Sequence, residues 1–133
     1  MTSELHSSSA DTLIVFDFET TGLSPDMGDR SIEIGAVLIE NGQITQRFQQ
    51  LMNPSIRIPV FIENLTGITS RMVSEARKNR EVMAEFFEFI HGHNLVAHNA
   101  SFDERFFRAE FKRIKKTFNG GIDFSLLDPR RIF

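Results

Sequence analysis

The 133 residues carry 15 Lys+Arg against 18 Asp+Glu, a net charge of −3, with 41% hydrophobic and 25% charged residues. That balance supports one globular domain with a single core and excludes a broadly basic surface that grips duplex nucleic acid through many phosphates. There is no cysteine, hence no disulfide framework or thiolate metal site, which fits a cytoplasmic location, and no apolar run reaches membrane-spanning length.

In chain order, Met1 to Asp11 is Ser-rich, lacks the apolar stretch of a secretory signal, and is expected to be a disordered leader. Leu13-Ile14-Val15-Phe16-Asp17-Phe18 is a short apolar run suited to a central strand. It runs into Glu19-Thr20-Thr21-Gly22-Leu23-Ser24-Pro25, where Gly and Pro predict a loop. Ser31 to Glu40 and Gln43 to Met52 read as two strands. The Asn41-Gly42 pair between them predicts a type I′ hairpin, whose central residues both need positive φ.

After Asn53-Pro54 the pattern turns helical. Pro59 to Leu65 predicts a short helix stopped at Gly67, and Thr69-Ser70 can cap another running toward Ala76. Val82, Phe86, Phe89 and Ile90 recur at helical spacing, with Gly92 as the stop. Leu95 to His98 reads as a buried strand. Asn99 or Ser101 can cap the next helix, whose apolar stripe is Phe102, Phe106, Phe107, Phe111 and Ile114. A last strand is predicted over Ile122 to Leu127, with a further helix opening at Asp128-Pro129. The fold class is therefore α/β with a mixed sheet: three antiparallel strands, then alternating helices and strands. The 14 Phe, unaccompanied by Trp or Tyr, are expected mostly to pack, because the ring has no polar tip to satisfy.

Asp17 and Glu19 stand two positions apart on one strand, so both carboxylates point to the same face. Two unpaired negative charges brought together are relieved by a raised pKa or by a bound cation, and a hard divalent ion prefers such oxygen ligands. Hydration at a strand end is the plainer alternative. Asp103 follows a buried strand and lies in the first turn of a helix, where the helix dipole alone favours an acid.

Phe16-Asp17-Phe18-Glu19-Thr20-Thr21-Gly22-Leu23 resembles the first exonuclease motif of the DEDD superfamily, in the DnaQ-like branch that includes the epsilon subunit of bacterial DNA polymerase III. Leu95-Val96-Ala97-His98-Asn99-Ala100-Ser101-Phe102-Asp103 resembles the second motif, and Leu65-Thr66-Gly67-Ile68-Thr69 a segment often found between the two. The resemblance implies a ribonuclease H-like fold in a single domain over residues 12–133. It also implies 3′–5′ hydrolysis of terminal phosphodiesters, with Asp17, Glu19 and Asp103 holding two Mg²⁺ or Mn²⁺ ions. Thr20, Thr21, Leu65, Thr66 and Phe102 would contact the terminal nucleotide. The implied partners are a single-stranded DNA 3′ end, or RNA, and a DNA polymerase subunit, with no membrane.

The branch's third motif, His-x4-Asp on a C-terminal helix, supplies a general base and a fourth carboxylate. That spacing occurs at His6–Asp11, in the leader, and at His98–Asp103, inside the second motif, so neither copy serves as the third. His91 and His93 are followed at that offset by Val96 and His98. Ser125 to Phe133 resembles the stretch after which the family chain continues. The C-terminal helices are therefore expected to be missing and the chain to be weak or inactive alone. An apolar sheet face left uncovered would be open to homo-oligomerisation. An RNA-trimming enzyme resembling ribonuclease T or oligoribonuclease, and a non-catalytic binding module, are the alternatives. The basic residues after the second motif, Arg105, Arg108, Lys112, Arg113, Lys115 and Lys116, read as a solvated face opposite the Phe stripe.

Overall fold

The computed structural model describes residues 12–117. The expected leader, the strand over Ile122 to Leu127 and the helix opening at Asp128 lie outside the described residues. Strands β1 (Thr12–Thr20), β2 (Ser31–Glu40), β3 (Gln43–Leu51) and β4 (Asn94–Ala97) form one sheet in the order β3-β2-β1-β4. The first three are antiparallel and β4 runs parallel to β1. The helices are α1 (Val60–Thr66), α2 (Ser70–Ser74), α3 (Asn79–Ile90) and α4 (Ala100–Thr117). None of the described helices is long and apolar enough to cross a membrane.

Local chemistry accounts for most boundaries. Asn41 and Gly42 take φ values of 52° and 80°, the positive pair that closes the β2–β3 hairpin. Gly67 ends α1 in the left-handed conformation at φ 79°, where a side chain would be strained. Thr69 accepts the Met72 N–H and caps α2. Helix α4 begins at Ala100, so Asn99 rather than Ser101 precedes it.

Three boundaries differ from the sequence pattern. Strand β1 continues through Glu19 and Thr20, because pairing with β2 persists as Glu19↔Glu33 and, across a bulge, Thr20↔Ser31. The predicted loop therefore starts two residues late, and Glu19 is held on a strand. Strand β3 stops at Leu51 and α2 at Ser74.

The even-numbered face of β1 (Ile14, Phe16, Phe18) joins Ile34, Ala36 and Leu38 of β2 and Leu95 and Ala97 of β4 under α3 and α4. Val82, Met83, Phe86 and Ile90 of α3 and Phe106, Phe107, Phe111 and Ile114 of α4 complete this core. The rings pack edge-on or tilted, as at Phe107–Phe111 with centroids 4.7 Å apart. Phe packing is as expected except at Phe61, whose residue surface is 67% exposed. A second cluster of Ile32, Ile58, Ile62, Ile68 and Val73 seats α1 and α2. The odd-numbered face is only partly buried among the described residues, at Leu13, Val15, Val37, Ile39 and Val96.

One buried ion pair pins α4 across the start of β2. Arg30 Nε and Nη2 donate to the two oxygens of Glu110 at 3.1 and 3.0 Å, and the Ser31 N–H donates to Glu110 Oε2 at 3.1 Å. Glu110 is 2% exposed, so its charge depends on these donors. Removing one partner of a buried pair leaves the other uncompensated, at a cost of about 3–5 kcal/mol. Arg30→Ala is expected to lower the urea-unfolding free energy by about that amount. A loss under about 1 kcal/mol, the value of a solvated pair, would contradict this placement.

Candidate functional site

The chemistry gathers where β1 and β4 end. Their parallel register pairs Phe16 with Ala97, so positions 17 and 98 stand side by side on the sheet's open face. The His98 N–H donates to the Phe16 carbonyl at 2.9 Å and closes the last rung of the ladder. Beyond it β4 has ended, and the Asp103 carboxylate takes over. Asp103 Oδ1 accepts the Phe18 N–H at 3.0 Å, and Oδ2 accepts the Asn99 N–H at 2.7 Å. Asp103 is fully buried. It is thus a fixed carboxylate that joins β1 to α4, unlike the solvated first-turn acid its position alone allows.

Asp17, His98 and Asp103 each offer a ligand atom, and these atoms lie within 4.8 Å of one another. His98 Nδ1 stands 3.7 Å from Asp17 Oδ1. Glu19 shares the open face with Asp17, as the strand period requires, but is not in that group. It faces the same charges from one step along the strand. Burial first raises the Glu19 carboxyl above its ordinary value, and then the charges of Asp17, Glu33 and Asp103 do so. Asp103 is also raised, by burial above all. The Asn99 and Phe18 N–H groups oppose that rise, the Asp17 charge adds to it, and His98 lowers it. Two crowded carboxyls short of compensating positive charge form a donor set that fits a hard divalent cation.

The loop after Glu19 is tied down by Asp29. Thr21 Oγ1 donates to Asp29 Oδ1 at 3.0 Å and accepts the Arg30 N–H at 3.0 Å, while the Ser24 N–H donates to Asp29 Oδ2 at 3.0 Å. Gly22 passes so close to that carboxylate that any Cβ there would collide with it. Thr20 Oγ1 donates to the Gly22 carbonyl at 2.6 Å. Both Thr side chains are buried and engaged within the loop, which leaves mainly their backbone to face a ligand. On α1, Leu65 is 78% exposed. Thr66 Oγ1 instead closes the helix end, donating to the Ile62 carbonyl at 2.8 Å and accepting the Ile68 N–H at 3.1 Å. Phe102 is half-buried, its ring 5.0 Å from that of Phe106. Arg105 Nη1 donates to the Leu23 carbonyl at 3.0 Å, and Arg108 pairs with Glu104.

His98 and Asp29 were not singled out from sequence as site residues. The signal for His98 was its place one residue past β4, which becomes informative only once the β1–β4 register is known. Asp29 gave no signal, because its contacts cross a loop.

Comparison with known proteins follows from this geometry. Residues 14–128 match the family model RNase_T, described as "Exonuclease". The 3′–5′ exonuclease DinG of Bacillus subtilis is 48% identical over 100 residues, spanning 75% of this chain and 11% of that protein. The PolC-type DNA polymerase III of Caldanaerobacter subterraneus is 45% identical over 117 residues, spanning 88% of this chain and 8% of the polymerase. The chain thus spans about a tenth of the length of these curated relatives. Among solved structures, the nuclease domain of 3′hExo, a DEDDh family member bound to rAMP, superposes with a TM-score of 0.67 at 24% identity. That match covers 77% of this chain and 59% of the other. Product-bound exonuclease I superposes at 0.69 with 19% identity, over 78% of this chain and 26% of the other. These likenesses establish a ribonuclease H-like fold, in agreement with the mixed sheet.

Clustered carboxylates that repel one another cost stability until something neutralises them. Asp17→Asn removes one of the charges that raise both Glu19 and Asp103. In chelator it is expected to raise the melting temperature by a few degrees at neutral pH. An unchanged or lower melting temperature would contradict the repulsion.

Proposed function

This chain belongs to the exonuclease family, and from that premise we propose that it hydrolyses terminal phosphodiesters at the 3′ end of single-stranded DNA. It would do so as a proofreading-type 3′–5′ exonuclease using Mg²⁺ or Mn²⁺. The observation that carries the reading is the convergence of Asp17, Glu19 and Asp103 at one end of the sheet's open face. Asp103 there is buried, and both its oxygens are already oriented by backbone donors.

Asp17 and Asp103 would hold one cation between them, and Glu19 would complete the ligand set from the same face as Asp17. Two such ions, about 3.5–4 Å apart, supply water activation and stabilise the attacking and leaving oxygens of an in-line displacement. Asp103 keeps its orientation because the Phe18 and Asn99 N–H groups hold it, a role that outer hydrogen bonds commonly play for a ligating carboxylate. The Thr20-Thr21-Gly22 backbone, fixed by Asp29, would border the terminal nucleotide. Leu65 presents an exposed apolar side chain for its base, and Phe102 the edge of a half-buried ring. Thr66 would act by shaping the end of α1.

The DNA substrate and a polymerase partner are supported by the relatives between 42% and 48% identical, the DinG exonuclease and PolC-type polymerases. No His-x4-Asp pair beyond His6–Asp11 and His98–Asp103 occurs in the sequence. The 133-residue chain alone is therefore expected to act slowly, since a positioned general base contributes about 10²–10⁴-fold.

Release of nucleotides from labelled single-stranded DNA, with RNA of the same sequence alongside, tests the proposal. The expected result is slow Mg²⁺- or Mn²⁺-dependent shortening from the 3′ end of DNA, stopped by chelator and reduced at least about 100-fold by Asp17→Ala or Asp103→Ala. Faster shortening of RNA would favour the RNA-trimming reading. Release that survives Asp17→Ala would refute the assigned site.

A further inference from the structure

Two observations at the end of β4 go beyond a carboxylate-only cation centre. First, the tight group there contains an imidazole: the ligand atoms of Asp17, His98 and Asp103 fall within 4.8 Å of one another. Second, the space beside it is open. Asp17 pairs across strands with Gly35, and a Cβ built on Gly35 would meet nothing within 4 Å. A cleft of about 310 Å³ occupies that space, with both Asp17 and His98 in its lining.

We propose that Asp17, His98 and Asp103 form a mixed oxygen–nitrogen site for a borderline first-row transition cation of the Zn²⁺ type, distinct in ligand set from the Mg²⁺ centre that uses Glu19. The proposal rests on the reading of this end of the sheet as a cation centre. Imidazole suits Zn²⁺ and its neighbours, whereas Mg²⁺ takes oxygen ligands and keeps several waters. Two carboxylates and one imidazole, with an open fourth position toward the cleft, match the ligand count of catalytic zinc sites. Tetrahedral bonds of about 2.0–2.1 Å place neighbouring ligand atoms roughly 3.3–3.4 Å apart. The 3.7 Å between His98 Nδ1 and Asp17 Oδ1 is within a small rotation of that value.

His98 can make that rotation because its side chain is 74% exposed, while its backbone is held by the bond to the Phe16 carbonyl. Asp103 is fixed by its two N–H donors, and each of its oxygens retains a lone pair for a cation. Because Asp17 and Asp103 belong to both ligand sets, a Zn²⁺-type ion here competes with Mg²⁺. The centre would therefore respond to transition-metal supply.

The test is calorimetric titration of the full chain with ZnCl₂ and, separately, MgCl₂, for the wild type, His98→Gln, Glu19→Gln and His91→Gln. Melting temperatures in chelator confirm that each variant folds. The expected result is a Zn²⁺ affinity weakened at least tenfold by His98→Gln, with Mg²⁺ affinity changed less than twofold. Glu19→Gln should weaken Mg²⁺ more than Zn²⁺. If His98→Gln leaves Zn²⁺ affinity within twofold, or if the loss follows His91→Gln instead, the mixed site is overturned while Mg²⁺ binding keeps the cation centre standing. If the wild type binds neither ion, both readings fall.

Discussion

The site depends on one hydrogen-bonded carboxylate. Asp103 accepts the Phe18 N–H from a residue 85 positions away and the Asn99 N–H from the turn that enters its own helix. Strand β4 is only four residues long, so β1 outruns it and exposes a backbone donor at the point where a buried strand can least afford one. The Asp103 side chain fills that position in the ladder. In doing so it carries a negative charge into a dry location beside Asp17 and Glu19. Burial then holds the Asp103 carboxyl above its ordinary range, though two N–H groups support the charged form. The same contact closes the fold and creates the demand for a cation.

Everything around that contact keeps it in register. The Phe-rich layer of α3 and α4 sets the height of α4 over the sheet, and the Arg30–Glu110 pair fixes where along β2 the helix lies. The bulge between Glu19 and Thr20 lets the antiparallel ladder continue while the chain turns toward Asp29. Glu19 therefore sits on a strand, with the direction of its side chain decided by the pleat, and only the residues after Thr20 belong to a loop. A carboxylate on a rigid strand is positioned more precisely than one on a loop.

Much of this was legible in the sequence, for local reasons. The Asn41-Gly42 turn, the Gly67 stop, the Thr69 cap and the Phe stripe of α4 are short-range signals, and each stands where the residues place it. The shared face of Asp17 and Glu19 followed from a period of two. The missed features all depend on pairing between distant segments. Extension of β1 to Thr20 is set by β2, and the neighbourhood of His98 and Asp17 by the parallel register with β4. The Asp29 latch is set by a loop closing on itself. The group Asp17, His98 and Asp103 also shows that a His-x4-Asp spacing can matter where it is not the third motif.

The central claim is that the carboxylates at the end of β1 are held for cations. The most direct measurement is a crystal of the chain grown with MnCl₂ and recorded at the manganese absorption edge. The account predicts an anomalous peak bridging Asp17 and Asp103, within about 2.0–2.3 Å of an oxygen of each. A map with no peak there, or with manganese only at surface carboxylates elsewhere, would contradict it.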